Sequence, residues 1–180
     1  KELMQLHDRL NATFVYVTHD QIEALTLATR IVVMKDGYVQ QIATPKEMFD
    51  NPENLFVAGF IGTPPMNFYN GKIDSSVSYF EHNSGAKIYL NKHQKDILQQ
   101  YAGKEVVMAS RPEYVLVDDE ALNENKEQTF DFVVDYSEYL GAYKLVYGTF
   151  GDELVVAKVN PKDKTDVPVL KACFKSEKIH

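Results

Sequence analysis

At Gly62-Thr63-Pro64-Pro65 the apolar residues of this chain change their spacing, and that change limits the folds open to it. Consecutive prolines exclude a continuing helix and stiffen the backbone, so the quartet reads as a linker. Beyond it the period falls from 3.6 toward two. Phe68 to Ile73, Val77 to Phe80, Ala86 to Leu90, Val106 to Ser110, Tyr114 to Val117, Phe130 to Tyr139, Tyr143 to Phe150, Leu154 to Val159 and Val169 to Phe174 all have strand character. Turn clusters such as Asn83-Ser84-Gly85 and Gly151-Asp152 separate several of them, a pattern that predicts a small barrel or sandwich. One helix, about Lys92 to Tyr101, is expected inside this region, with Asn91 as its cap and Gly103 as its stop. Asn70-Gly71 has hairpin chemistry, but its flanks read better as one strand. The acidic segment Asp118 to Glu127 has neither regular ligand spacing nor a histidine, so a solvated mobile loop is expected rather than a metal site.

Before the linker the signals alternate. Leu3, Leu6 and Leu10 predict an amphipathic helix over residues 1–10. Thr13 to Val17 reads as a short strand, Gln21 to Thr29 as a helix and Arg30 to Lys35 as a second strand, which implies a parallel or mixed sheet. Asp36-Gly37 predicts a two-residue hairpin turn into Tyr38 to Ile42, because both residues tolerate positive φ. Thr44, Pro45 and Glu47 supply a cap, a first-turn proline and the third member of a capping box. That helix should run to about Asp50 and break at Asn51-Pro52. Helix is expected again from Glu53 to Phe60, with Leu55, Phe56 and Phe60 on its apolar side.

The totals exclude several classes. The 180 residues carry a net charge of −7, and residues 1–62 hold 5 basic against 8 acidic side chains, so neither half offers the basic face that nucleic acid requires. A single cysteine, Cys173, cannot form an internal disulfide and reads as a small strand residue. No apolar run approaches the ~20 residues of a membrane-spanning helix. The chain opens on Lys1-Glu2-Leu3, with neither an initiator methionine nor a signal-peptide pattern, so its first residue is not expected to be the natural start.

The chemistry-bearing stretch is Phe14-Val15-Tyr16-Val17-Thr18-His19-Asp20-Gln21. A β-branched and aromatic run ends in a polar triplet and a helix pattern follows at once, which puts His19 on a loop past the end of a strand. In open α/β sheets ligands bind at that edge. An imidazole there can donate an N–H to a phosphate or carbonyl oxygen, or serve only as a solvated loop residue beside a capping Asp20.

Tyr16-Val17-Thr18-His19-Asp20-Gln21, Glu23-Ala24, Thr26-Leu27-Ala28 and Arg30-Ile31-Val32-Val33-Met34 together resemble the switch-histidine region of ABC-transporter ATPases. Phe56-Val57-Ala58-Gly59-Phe60-Ile61-Gly62 and Met66-Asn67-Phe68 resemble the junction of the sugar-importer (maltose and multiple-sugar) branch. Ser110-Arg111-Pro112-Glu113 looks like the Arg-Pro-Glu signature of that branch's regulatory domain, and Tyr139-Leu140-Gly141 like a turn farther along it. The likeness is dense to about residue 69 and sparser afterwards. Ala109 and Ser110 stand where the family usually has glycine and a β-branched residue.

The resemblance implies an α/β C-terminal piece of an ABC ATPase domain over residues 1–62, then a mostly β, OB-like (TOBE/MOP-type) regulatory and dimerisation barrel over 63–180. It implies that His19 is the switch histidine, catalytic and bound to the ATP γ-phosphate, with ATP and Mg2+ as cofactors of the intact parent. No Gly-x-x-x-x-Gly-Lys-Ser/Thr loop occurs, so this chain alone is expected to bind no cofactor, to hold no metal and not to hydrolyse ATP. Arg111 and Glu113 are expected to do structural work, ligand binding being the alternative. Tyr136, Tyr139, Tyr143 and Tyr147 are candidates for a pairing face, or for ordinary period-two burial. The implied partners are a second ATPase subunit, transmembrane permease subunits and a phosphotransferase-system regulatory protein, at the cytoplasmic face of the cell membrane. Other cargoes (glycerol phosphate, polyamine, iron, an oxyanion) and a stand-alone ligand-sensing barrel remain as alternatives.

Overall fold

A computed structural model describes Gln5, Arg9, Leu10 and residues 12–180. The chain divides into two compact units, Lys1–Thr63 and Pro64–His180. The helix expected over residues 1–10 lies mainly outside the described residues.

In the first unit, Asp20 caps α1 (Gln21–Leu27), its carboxylate accepting the Ile22 and Glu23 amides. Strands β1 (Ile31–Lys35) and β2 (Tyr38–Ala43) form an antiparallel hairpin. Its turn is the expected one, with φ of 52° at Asp36 and 82° at Gly37. The Thr44–Glu47 capping box forms at the start of α2 (Pro45–Asp50). Asn54 caps α3 (Leu55–Phe60) through the Val57 amide. Between the two helices the buried Gln41 side chain replaces missing backbone bonds, donating to the Asn51 carbonyl and accepting the Glu53 amide, both at 3.0 Å.

Two expectations fail in this unit, and both failures concern burial. Thr13 to Val17 is not a strand: Val15 and Val17 are 90% and 91% exposed, and no described strand lies beside them to complete a ladder. The β-sheet is therefore a two-stranded antiparallel hairpin, not a parallel or mixed sheet. On α3, Leu55 and Phe60 are exposed, whereas Val57 and Ala58 are buried. Val57 and Ile61, one turn apart, pack with Ile31, Val33 and Met48, and Phe56 packs against the same cluster as expected.

The second unit contains a four-stranded sheet, ordered β5-β4-β3-β6, from β3 (Asn67–Ile73), β4 (Tyr79–His82), β5 (Lys87–Tyr89) and β6 (Glu105–Ser110). A five-stranded sheet, ordered β10-β9-β8-β11-β7, comprises β7 (Val115–Leu116), β8 (Phe130–Tyr139), β9 (Lys144–Phe150), β10 (Glu153–Val159) and β11 (Val169–Phe174). Every pairing is antiparallel, and the sheets wrap one core around Tyr69, Phe80, Phe132, Val146, Val155 and Phe174 to make a nearly closed barrel. Gly71 and Gly148 sit where a side chain could not: a Cβ at Gly148 would overlap the Val133 carbonyl, and one at Gly71 the Glu81 carbonyl and the Phe80 ring. Asn70-Gly71 accordingly lies within one strand.

Helix α4 (Lys92–Leu98) carries the expected Asn91 cap and continues as a 3-10 turn to Tyr101. Two local expectations are corrected. Asp118 to Glu127 is not a mobile loop: Asp118 caps α5 (Asp119–Glu124) through the Ala121 amide, and a 3-10 turn follows at Lys126–Gln128. The strand expected at Val77 begins at Tyr79 instead, because Asp74 gathers the Ser76, Ser78 and Tyr79 amides into a turn. That turn holds Val77 at a φ of 53°, an unusual conformation for a β-branched residue.

Candidate functional site

His19 occupies the bend immediately before α1, and its ring is exposed with no hydrogen-bond partner among the described residues. Its surroundings are fixed by others. The Asp20 amide donates to Thr18 Oγ1 at 2.9 Å, and Thr18 Oγ1 donates to Glu23 Oε2 at 2.9 Å. The Tyr16 hydroxyl reaches the same oxygen at 3.1 Å, and that bond to Glu23 raises the Tyr16 phenol above its usual range. Gln21 ties the start of α1 to the end of α3, donating to the Phe60 carbonyl and accepting the Gly62 amide at 2.8 Å. A loop pinned on both sides thus presents one free imidazole.

The sequence found the Asp20 cap and the loop that carries His19, but the strand expected ahead of that loop does not form. It missed Glu23 and Gln21 as loop anchors, although Glu23 in the first helical turn was a visible signal. Chemically, the loop offers one neutral or cationic donor for an anionic oxygen. A triphosphate needs a cradle of backbone N–H groups as well, and the glycine-rich loop that builds one is absent from this sequence.

In the second unit Arg111 is 1% exposed at the end of β6, where Pro112 opens a 3-10 turn through Tyr114. Burial to this degree suits the structural reading rather than a ligand contact, since a buried guanidinium is held by protein acceptors. Gly141 makes the turn after Leu140 with a φ of 76°. Tyr136 and Tyr139 are exposed, Tyr143 and Tyr147 half-buried. Tyr136 stacks on Tyr147 with ring centroids 4.6 Å apart, and Lys158 Nζ lies 4.4 Å from the Tyr143 ring. Cys173 is fully buried in β11, and burial, with Asp118 nearby, pushes its thiol up to about 11, leaving it protonated and unreactive at neutral pH. No helix among the described residues is long and apolar enough to cross a membrane.

Residues 62–115 match the family described as the MalK OB fold domain. The sn-glycerol-3-phosphate import ATP-binding protein UgpC of Escherichia coli (strain K12) is 40% identical over 163 residues, which cover 91% of this chain and 43% of UgpC. The oligosaccharides import ATP-binding protein MsmX of Bacillus subtilis (strain 168) is 39% identical over 163 residues, covering 89% of this chain and 44% of MsmX. Among solved structures, the cytoplasmic molybdate-binding protein ModG aligns with a TM-score of 0.49 at 16% identity, over 63% of this chain and 93% of that one. The chain thus spans less than half the length of the curated relatives it matches. With a MalK OB fold match after the linker and 39–40% identity along both units, the chain is similar in sequence to part of the ATP-binding proteins of importers.

Proposed function

We propose that this chain forms the C-terminal portion of the ATP-hydrolysing subunit of a bacterial ABC importer for sugars or oligosaccharides. Residues 1–62 complete the ATPase domain, and residues 63–180 form the regulatory domain. The observation that carries this reading is the alignment with import ATP-binding proteins: at 163 of 180 residues it crosses the linker and takes in both units.

His19 is the catalytic residue we assign to this part. Phosphoryl transfer is catalysed mainly by positioning and charge stabilisation, so an N–H donor held on a rigid loop contributes by orienting the ATP γ-phosphate and the attacking water. The exposed ring and the pinned Thr18 and Asp20 support that assignment. The phosphate cradle and the Mg2+ ligands belong to sequence that this chain does not contain. The partners are a second copy of the subunit and the permeases, at the cytoplasmic face of the membrane. A phosphotransferase-system protein acting on the regulatory domain fits the same reading. Import of glycerol phosphate is the second reading, favoured by the 40% identity to a protein named for that cargo.

The test is kinetic. In the intact parent, His19→Ala lowers ATP turnover by about 100-fold or more while the Kd for ATP shifts less than about threefold, in line with losing a group that acts only in the transition state. Equal losses in turnover and affinity remove His19 from that role. Uptake of labelled oligosaccharide against labelled sn-glycerol-3-phosphate, in cells lacking the parent subunit, separates the two cargoes.

A further inference from the structure

Where the two sheets of the barrel meet along β3 and β10, no backbone hydrogen bond joins the strands among the described residues. Side chains close this seam. At one end Asn67 stands in for a strand residue, its Nδ2 donating to the Val156 carbonyl at 2.9 Å and its Oδ1 accepting the Val156 amide at 2.8 Å. At the other end Glu153 accepts the Asn70 amide at 2.7 Å and Asn70 Nδ2 at 2.8 Å on Oε1, and its Oε2 pairs with His82 Nε2. His82 is 2% exposed and stacked on Phe150 with ring centroids 4.0 Å apart. Its Nδ1 accepts the Ser84 amide at 3.1 Å and lies 2.7 Å from Ser84 Oγ.

Counting donors and acceptors fixes the protons. The Ser84 amide can only donate, so Nδ1 is the acceptor and Nε2 carries the hydrogen that goes to Glu153. Glu153 then receives three donors, Asn70 N–H, Asn70 Nδ2–H and His82 Nε2–H. The ionised Glu153 carboxylate is therefore the acceptor that ties Asn70 to His82, and a proton on it removes the charge that makes those bonds strong.

We propose that this network is an acid-released clasp: proton uptake by the Glu153 carboxylate frees Asn70 and this end of β3 from β10, while Asn67, which has nothing to titrate, keeps the other end closed. A cavity of about 120 Å³ lined by His82, Asn83, Ser84, Gly151, Asp152 and Glu153 adjoins the network. The groups facing it are few. From β3, the Tyr69 ring meets His82 edge-on and its hydroxyl is engaged with Ser110. From β4, Glu81 is paired with Lys72 at 3.2 Å. From β9 comes the Phe150 ring, and from the turn before β10 comes Asp152, which lines the cavity. Burial acts to raise Glu153, but the bonds from His82 and Asn70 outweigh it and hold the carboxyl below its ordinary 4.5. The clasp is therefore fully formed above about pH 4.5 and is lost as pH falls through that lowered value.

Amide hydrogen exchange on the full chain between pH 7 and pH 3, corrected for the intrinsic pH dependence of exchange, reads the two ends separately. Protection at Asn70 is expected to fall at least tenfold on acidification while protection at Val156 holds. In Glu153→Gln, whose side-chain amide sets an N–H against His82 Nε2–H, Asn70 is expected to be deprotected already at pH 7 and to lose its pH dependence. Asn70 and Val156 losing protection together, Asn70 staying protected to pH 3, or Glu153→Gln keeping the wild-type pH dependence would each overturn the proposal.

Discussion

The two units bury their apolar residues to very different degrees. In the second, eighteen buried residues from Tyr69 to Phe174 form one cluster inside two sheets that pair and wrap. In the first, the buried cluster is Ile31, Val33, Met48, Val57 and Ile61, while Val15, Val17, Ile22 and Tyr38 are all at least 70% exposed. Both units obey their local signals equally well: the Asp20, Thr44 and Asn54 caps form, and so do the Asn91 and Asp118 caps. The contrast teaches that caps and turns need only the residues beside them, whereas a strand needs a second strand.

That difference can be broken most sharply in the cores. Phe132→Ala, at a fully buried barrel position, is expected to cost about 3–5 kcal/mol in urea unfolding, whereas Val17→Ala should stay within about 0.5 kcal/mol. Comparable losses at the two sites would mean that Val17 is buried in solution and that the contrast is false.

A second prediction concerns the turn that delays β4. Burial acts to raise Asp74, but bonds from Ser76, Tyr79 and Ser78 outweigh it and hold the carboxyl at about 2, against an ordinary 3.8. A depressed carboxyl contributes stability that is complete above 3.8 and disappears as pH falls through about 2. Asp74→Asn should therefore lower the unfolding midpoint at pH 7 and lose that effect near pH 2. A difference of the same size at both pH values would detach the ionised carboxylate from the turn.

The smallest effect tests the local character of the first unit. Thr44→Ala removes the oxygen that accepts the Glu47 amide and should cost about 1 kcal/mol, with the loss confined to amides of α2 in hydrogen exchange. Losses spreading across β1 and β2 would show the unit to be more cooperative than its small core suggests.

The same comparison explains what was legible. The hairpin at Asp36-Gly37, the capping box at Thr44 and the period-two strand from Phe68 to Ile73 were readable because each is written in adjacent residues. The Asp20 cap, and with it the loop that carries His19, was readable for the same reason. The anchors Glu23 and Gln21 were not, since Gln21 finds its partners at Phe60 and Gly62 across the unit.

Caps, turns and the change of period at the linker follow from the amino-acid order alone, because their energies are settled over three or four residues. Whether Thr13 to Val17 pairs, which face of α3 is buried, where β4 begins and how β3 meets β10 depended on groups brought together from far along the chain. A strand propensity states that a segment would accept a ladder; the ladder itself is supplied by another segment, and no local pattern can report whether that segment arrives.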